Sequence, residues 1–492
     1  MQDFFRYHLP AQPLPEDGYW IWQNGWWAGL FTPDIKLIDP LVRAGVHDLM
    51  TAAIYYGHDN HPTTEPKYVR EMRISPLGFP VTRHASEGVT EGKTGWHTAA
   101  DTSGDSEDVI GYSDTFEAPP AYDEFVRDAQ KQGVYVSSFS TPNNSYLSRP
   151  DWYATDENGT PYEYFGTRLS CPACDEYMDF HFDMLTHIMD RYRPRFWAFD
   201  GRWMNYSEIA GYHFGRIGPT PCHNPAHGHP RGDSRYKEWK NIEKFKRGLR
   251  ERYPRMCLEE YYGLKRGGVW SMTSLNSDEN YYEMASVENN RLQTWHNEND
   301  RFRPVYLNYA SVFGKTPSEF EHSLISALST SEYCQISKGY CALRDYPESA
   351  DILKKWKKWA DENHRFLKSR RSIFGMPGEH AADGSTHFID DEGFIFIFTA
   401  PGTAAECHIP MSELIGLDGK TEAYRITEIS SVERNGNTAS CEIASSIVRA
   451  GSTLRVRVTA DTACVLRVDK TSLSADHTIT ELSHADAVVD AF

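Results

Sequence analysis

The sequence predicts a (β/α)8 TIM barrel followed by a small C-terminal antiparallel β-sandwich. Strand-like and helix-like segments alternate over about 350 residues, which is the pattern of an α/β barrel with loop insertions. Beyond residue 370 the pattern changes to short strands with period-2 alternation. No glycine-rich phosphate loop of the GxGxxG or GxxxxGK type occurs, so a doubly wound nucleotide-binding sheet is the weaker alternative.

Apolar periodicity predicts the elements of the barrel in chain order. The predicted strands cover 19–30, 47–56, 134–140, a run that ends at Asp200, 256–262, 269–275, 304–310 and 334–343. The predicted helices cover 120–132, a segment before the fourth strand, 236–252, 317–330 and 349–368. Polar stretches at 60–118 and 205–235 are interpreted as loop insertions.

The second domain is predicted to begin with a β-hairpin over 388–399. Further short strands are expected at 405–410, 421–427, 442–448, 453–459 and 463–468. We therefore assign residues 1–370 to the barrel, 371–475 to the β-sandwich and 476–492 to a polar tail.

Composition and charge limit the partners. The net charge of −18 argues against nucleic acid, whose phosphates need a basic surface. No apolar run approaches the roughly 20 residues that span a bilayer. The start lacks the basic-then-apolar order of a signal peptide, and nine cysteines are too sparse for a disulfide framework. We expect a cytoplasmic protein, or an exported one whose signal peptide is absent from this sequence; a homo-oligomer is compatible with either.

Asp200 is the first candidate catalytic residue. It closes the apolar and aromatic run 195–199 and is followed by glycine, as at the end of a buried strand. The segment before that run has apolar residues at helical spacing, namely Met178, Phe182, Leu185 and Met189. A parallel strand that ends in Asp places the carboxylate at the mouth of a barrel, where barrel enzymes keep their chemistry. The alternative is an ordinary helix N-cap.

Asp278 is the second candidate, because it follows the predicted strand 269–275 and would lie at the same rim, two strands from Asp200. Two such carboxylates can flank a sugar as nucleophile and proton donor, about 5–5.5 Å apart in retaining glycosidases. The alternative is a helix cap at Asp278. Glu259 or Glu260, at the end of the fifth strand, is an alternative proton donor.

The segment from about 130 to 375 resembles the glycoside hydrolase clan of the retaining α-galactosidases and α-N-acetylgalactosaminidases. The matching motifs are Pro150-Asp151-Trp152, Leu169-Ser170-Cys171-Pro172, the strand ending in Asp200, and Asn276-Ser277-Asp278. The resemblance implies a retaining exo-α-glycosidase for terminal galactose-type sugars, with Asp200 as nucleophile and Asp278 as acid/base. It implies no cofactor or metal, and an oligosaccharide or glycoside as substrate.

Several positions depart from that pattern. Ala198 stands where the clan usually has a substrate-binding lysine, so Arg202 or another residue would supply the contact. His58 and Asp59 replace the paired aspartates after the second strand and are candidate sugar ligands. Arg291 stands where the clan often has a substrate-binding arginine, and Trp26 is a candidate aromatic floor for the sugar. Two other functions stay open: an α-L-fucosidase-like glycosidase and a non-catalytic carbohydrate-binding barrel.

A cysteine and histidine cluster has an open interpretation. Cys171 and Cys174 form a Cys-x2-Cys pair, and Cys222 is followed by His223, His227 and His229. Such residues are a plausible tetrahedral zinc set. The 48 positions from Cys174 to Cys222 match no standard zinc finger, however, and the carboxylate chemistry needs no metal.

Overall fold

The computed structural model describes most of the chain after residue 119 and two short stretches before it. The described residues are 20–24, 38–51, 120–137, 139–140, 144–145, 150–164, 167–199, 221–260, 277–279, 291–292, 294–295, 307–312, 314–330, 333–336, 340–367, 369–473 and 481–492. They divide into two compact units, one built mainly from residues 47–278 and the other mainly from 279–492.

Up to residue 367 the described residues form both strands and helices. The strands are β1 (Trp20–Asn24), β2 (Asp48–Thr51), β3 (Tyr135–Ser137), β4 (Phe139–Ser140), β5 (Asn144–Ser145), β6 (Glu163–Tyr164), β7 (Thr167–Leu169), β8 (Phe196–Phe199), β9 (Cys257–Glu260), β10 (Ser277–Glu279), β11 (Leu307–Val312) and β12 (Tyr333–Ile336). The helices are α1 (Ile38–Ala44), α2 (Pro120–Lys131), α3 (Asp175–Tyr192), α4 (Arg235–Arg252), α5 (Pro317–Leu328), α6 (Tyr340–Asp345) and α7 (Glu348–Leu367).

Parallel pairing dominates these strands in both units. In the first unit β2 pairs with β3, and β4, β8, β9 and β10 are successive parallel neighbours. In the second unit β12 pairs in parallel with both β1 and β11. Helix α4 connects β8 to β9, and α5 connects β11 to β12. Parallel neighbours joined through helices are the βα units of which an α/β barrel is made.

Helices α3 and α4 pack against each other in the first unit. On α3, Met178, Leu185 and Met189 are buried, as their spacing predicts. The rings of Phe182 and Phe245 meet edge to face with centroids 5.8 Å apart. Gly248 on α4 allows this approach, since a Cβ there would lie 2.8 Å from the Phe182 ring. The contact between the Phe182 and Phe245 rings holds α3 in place directly before β8.

A buried carboxylate joins the beginnings of β2 and β8. Asp48 is 3% exposed and accepts a 3.0 Å hydrogen bond from Nε of Arg195. The Arg195 guanidinium also lies 4.8 Å from the ring centroid of Tyr135 on β3. These contacts lie at the amino ends of the strands, opposite the edge where barrel enzymes carry out catalysis, and stabilise the sheet.

The C-terminal part of the second unit is a β domain, as predicted. Its strands are β13 (Arg370–Ile373), β14 (Ala382–Ile389), β15 (Glu392–Thr399), β16 (Ala405–Pro410), β17 (Ala423–Glu433), β18 (Cys441–Ile443), β19 (Ile447–Arg449), β20 (Thr453–Val458), β21 (Thr462–Thr471) and β22 (Ala487–Asp490). They form a six-stranded sheet, β13-β14-β15-β21-β17-β19, and a four-stranded sheet, β18-β20-β16-β22. Ile397 and Leu466 of the first sheet and Ile409 and Val456 of the second belong to one hydrophobic core.

Three predicted boundaries were wrong. Residues 487–490, assigned to a polar tail, form β22 and pair in parallel with β16. The strand predicted over 334–343 ends at Ile336, and α6 follows. The strand predicted over 442–448 is divided into β18 and β19, which belong to different sheets. Among the helices that the structure describes, none is both long enough and apolar enough to cross a membrane.

Candidate functional site

The carboxyl ends of β8, β9 and β10 carry the candidate acidic residues of the first unit. Glu260 on β9 is in register with Phe199 on β8 and with Asp278 on β10. Glu259 is in register with Ala198 and Ser277. Glu260 and Asp278 therefore lie at the same level on neighbouring strands, whose backbones are about 4.8 Å apart in a sheet.

Asp200 is the next residue after β8 and lies outside the described residues. The same holds for Trp26, His58, Asp59 and Arg202. The strand that leads into Asp200 and the strand that contains Asp278 are the two neighbours of β9. This is the strand spacing on which the prediction of a carboxylate pair depends.

The position of Asp278 differs in one respect from the prediction. We expected it after a strand at 269–275, a segment outside the described residues; the structure places it within β10. Ser277, Asp278 and Glu279 are polar, and apolar periodicity does not detect so short a polar strand.

Arg291 was predicted to bind substrate, but the structure places it in a buried ion pair of the second unit. Its side chain donates to Asp383 through Nε at 2.6 Å and through Nη2 at 3.0 Å, and to Ser326 Oγ through Nη1 at 2.7 Å. The guanidinium carbon lies 4.0 Å from the Phe398 ring centroid, and Arg291 is 3% exposed. A guanidinium bound on this many sides has a structural role, so we omit Arg291 from the proposed substrate site.

Breaking this pair is expected to destabilise the protein strongly. Arg291→Met or Asp383→Asn should each lower the free energy of unfolding by about 3–5 kcal/mol, because the remaining partner stays buried. Chemical denaturation of the full chain measures this. The control is Lys358→Met, which removes one partner of the exposed pair with Glu362 and should cost less than about 1 kcal/mol. Losses at Arg291 and Asp383 no larger than the control would contradict the structural role.

Four side chains of the first unit converge on one point. They are the buried residues Cys171, Cys222, His227 and His229, whose sulfur or nitrogen atoms all lie within 4.8 Å of one another. Cys171 precedes α3, and the other three belong to the segment 221–234 that precedes α4. Cys174 and His223, which the sequence had also offered as zinc ligands, are not members of the cluster.

Hydrogen bonds from the backbone and from neighbouring side chains shape the cluster. The backbone N–H of Asn224 donates to Cys222 Sγ at 3.3 Å. A hydrogen bond from the Cys171 thiol lowers the pKa of the Cys222 thiol, and hydrogen bonds from backbone amides lower it further, whereas burial raises the pKa of the Cys171 thiol. Cys222 is therefore the cysteine of the pair that ionises more readily.

Two buried residues that support the cluster, Ser234 and Glu238, were not identified from the sequence. Ser234 donates to the Glu238 carboxylate and accepts from the backbone N–H of Cys222 at 3.0 Å. Glu238 is 1% exposed in the first turn of α4. A serine before a helix is a sequence signal for a cap, but nothing in the sequence indicates its contact with Cys222.

No protein-family model and no curated protein sequence matches the chain. Solved structures do match. The galactosidase domain of the α-galactosidase–sucrose kinase AgaSK has a TM-score of 0.62 at 13% identity and covers 96% of this chain. The GH36 α-galactosidase AgaB from Geobacillus stearothermophilus has a TM-score of 0.63 at 13% identity and covers 95%. This chain has the fold of GH36 α-galactosidases.

The extent of these matches differs between neighbours. This chain spans 57% of the length of the AgaSK domain structure and 57% of AgaB. An α-amylase from Geobacillus thermoleovorans is similar over 93% of this chain and 100% of its own, with a TM-score of 0.53 at 10% identity. At such low identities the similarity shows the fold alone. The fold of these neighbours agrees with the predicted TIM barrel and β domain.

Proposed function

We propose that this chain is a retaining exo-α-glycosidase that hydrolyses terminal α-linked galactose-type sugars. The observation that carries the proposal is the order of β8, β9 and β10. In a chain with the fold of glycoside hydrolases, one neighbour of β9 leads directly into Asp200 and the other contains Asp278. The two strands are two sheet spacings apart, about 10 Å. Two aspartate side chains can reduce that gap to the about 5–5.5 Å that retention requires.

The proposed reaction has two steps. The Asp200 carboxylate attacks the anomeric carbon while Asp278 gives its proton to the departing glycosidic oxygen, which leaves a glycosyl ester on Asp200. Asp278, now ionised, then removes a proton from water, and the resulting attack on the anomeric carbon releases Asp200. Two inversions give net retention, and no metal takes part.

The neighbours and the composition support the proposed substrate class. GH36 α-galactosidase AgaA from Geobacillus stearothermophilus has been solved in complex with stachyose and, as another variant, with raffinose. Such oligosaccharides are therefore the first natural substrates to test here. The 13% content of aromatic residues suits a sugar site, since sugar C–H faces stack on rings.

A specific observation keeps Glu260 as an alternative proton donor. It lies at the level of Asp278 on the adjacent strand, and its own strand neighbours the one that leads into Asp200. One strand spacing separates β9 from β8, whereas two separate β10 from β8. Separate substitutions of the two residues distinguish these assignments.

The test is hydrolysis of a panel of aryl α- and β-glycosides, with raffinose and stachyose, by the wild-type chain. We expect turnover of an α-galactoside or an α-N-acetylgalactosaminide and none of β-glycosides. Turnover confined to α-L-fucosides would favour the fucosidase alternative. No turnover of any glycoside, with calorimetric binding of the same sugars, would contradict the proposal and favour a non-catalytic carbohydrate-binding barrel.

A further inference from the structure

We propose that Cys171, Cys222, His227 and His229 bind one structural zinc ion. The site is distinct from the carboxylates of the proposed glycosidase and requires no assumption about that function. All four ligand atoms come from the first unit and lie within 4.8 Å of one another. Two sulfur and two imidazole nitrogen donors in a compact set are typical of tetrahedral zinc.

The distances agree with a single tetrahedral ion. Zinc bonds of about 2.3 Å to sulfur and 2.0–2.1 Å to nitrogen separate ligand atoms by about 3.3–3.8 Å. Cys222 Sγ lies 3.4 Å from His227 Nδ1, and Cys171 Sγ lies 3.9 Å from His229 Nε2. Small side-chain movements would bring the remaining pairs to the required spacing.

Both imidazoles are oriented as metal ligands usually are. His227 has Nδ1 toward the cluster, and its Nε2 donates to the backbone oxygen of Asp151 at 2.6 Å. His229 has Nε2 toward the cluster, and its Nδ1 donates to the backbone oxygen of Pro230 at 2.8 Å. Each hydrogen bond selects the tautomer whose lone pair faces the cluster, which is the usual outer contact of a metal-bound histidine.

Burial indicates a structural rather than a catalytic ion. Cys171 and Cys222 are 0% exposed, His227 is 2% and His229 is 8% exposed. Catalytic zinc sites use three protein ligands and keep one position for water, whereas structural sites are closed by four. Four buried protein donors describe a closed site.

The ion would join three segments of the first unit that lead toward the proposed active site. Cys171 lies three residues before Cys174, the N-cap of α3, and α3 runs into β8 and Asp200. His227 binds the carbonyl of Asp151 in the one-turn helix Pro150–Trp152. Cys222 is attached through Ser234 to the start of α4. The segment 221–234 is polar and supplies little hydrophobic packing of its own. Zinc would thus hold it in place instead.

The experiment is metal analysis of the full chain, purified without chelators and dialysed against metal-free buffer. Inductively coupled plasma mass spectrometry should find about one zinc ion per wild-type chain. In Cys222→Ser and in His229→Gln the bound zinc should fall at least tenfold. The control is Cys174→Ser, which removes a cysteine three residues from Cys171 but outside the cluster and should keep one zinc. Cobalt exchanged into the wild type should give the visible absorption of a tetrahedral thiolate site.

Several results would overturn the proposal. Wild type with less than a tenth of an equivalent of zinc, even after refolding with added zinc, would do so without any variant having to fold. Equal zinc loss in Cys174→Ser and Cys222→Ser, or full zinc in Cys222→Ser, would exclude this ligand set. One equivalent of another metal, with no zinc uptake in exchange, would exclude zinc. Each readout is independent of glycosidase activity.

Discussion

Replacing Asp200 by asparagine is expected to lower kcat/KM for an aryl α-galactoside by at least about 10⁴-fold, because the amide cannot form the glycosyl ester. Steady-state hydrolysis of the 4-nitrophenyl glycoside measures this. Asp183→Asn is the matched control: the same chemical change at an exposed position of α3, with activity expected within about twofold of wild type. Loss of less than about tenfold in Asp200→Asn would remove Asp200 from the reaction.

A smaller side chain at the same position separates a nucleophile from a structural residue. In Asp200→Gly, azide should occupy the space of the carboxylate and attack the anomeric carbon from the same face. The expected product is the β-galactosyl azide, and hydrolysis of the activated glycoside should be partly restored. A variant that is inactive and cannot be rescued, yet unfolds like wild type, would argue against Asp200 as nucleophile.

The substitution Asp278→Asn is expected to act according to the leaving group. General acid catalysis contributes about 10²–10⁴-fold, so raffinose, which has a poor leaving group, should lose that much in kcat/KM. A 2,4-dinitrophenyl α-galactoside needs no proton and should lose less than about tenfold. Comparison of kcat/KM for the two substrates in wild type and variant measures the difference.

The parallel substitution Glu260→Gln serves as the comparison for Asp278→Asn. If Asp278 is the proton donor, Glu260→Gln should affect both substrates to a similar extent. Should the dependence on leaving group appear in Glu260→Gln and not in Asp278→Asn, the acid/base role belongs to Glu260, its register partner.

The helices and the C-terminal hairpin could be predicted closely, because local pattern determines them. The apolar spacing predicted α4 over 236–252, and the structure has Arg235–Arg252. The hairpin predicted over 388–399 is formed by β14 and β15, joined by Asp390 and Asp391, both with positive φ as a two-residue hairpin turn requires. Such features depend on neighbours in sequence.

Elements stabilised by distant partners could not be predicted this way. The polar strand β10 has no apolar run, and it is recognised by its register with β9. β22 has only four residues, and its pairing partner β16 lies about 80 positions earlier in the chain. Short strands of this kind are defined by the sheet they join rather than by their own composition.

The candidate sites show the same limit. The sequence identified cysteines and histidines suited to zinc but not which four meet, because Cys171 and Cys222 are brought together only by the fold. Likewise, the resemblance that implied a substrate-binding role for Arg291 does not show its buried partner Asp383, which lies 92 positions away in the chain. Asp278 was expected after a strand at 269–275, whereas its place within β10 required the register.

The measurement that tests the central claim most directly is capture of the glycosyl-enzyme. The wild-type chain would be incubated with 5-fluoro-α-D-galactosyl fluoride, then digested and analysed by mass spectrometry. The ring fluorine of this reagent slows both steps by destabilising their oxocarbenium-like transition states, while the fluoride leaving group speeds formation of the ester, so the ester accumulates. We predict one fluoroglycosyl group per chain, on the peptide that contains Asp200. A label on another carboxylate, or no label on an enzyme that turns over α-galactosides, would contradict the account.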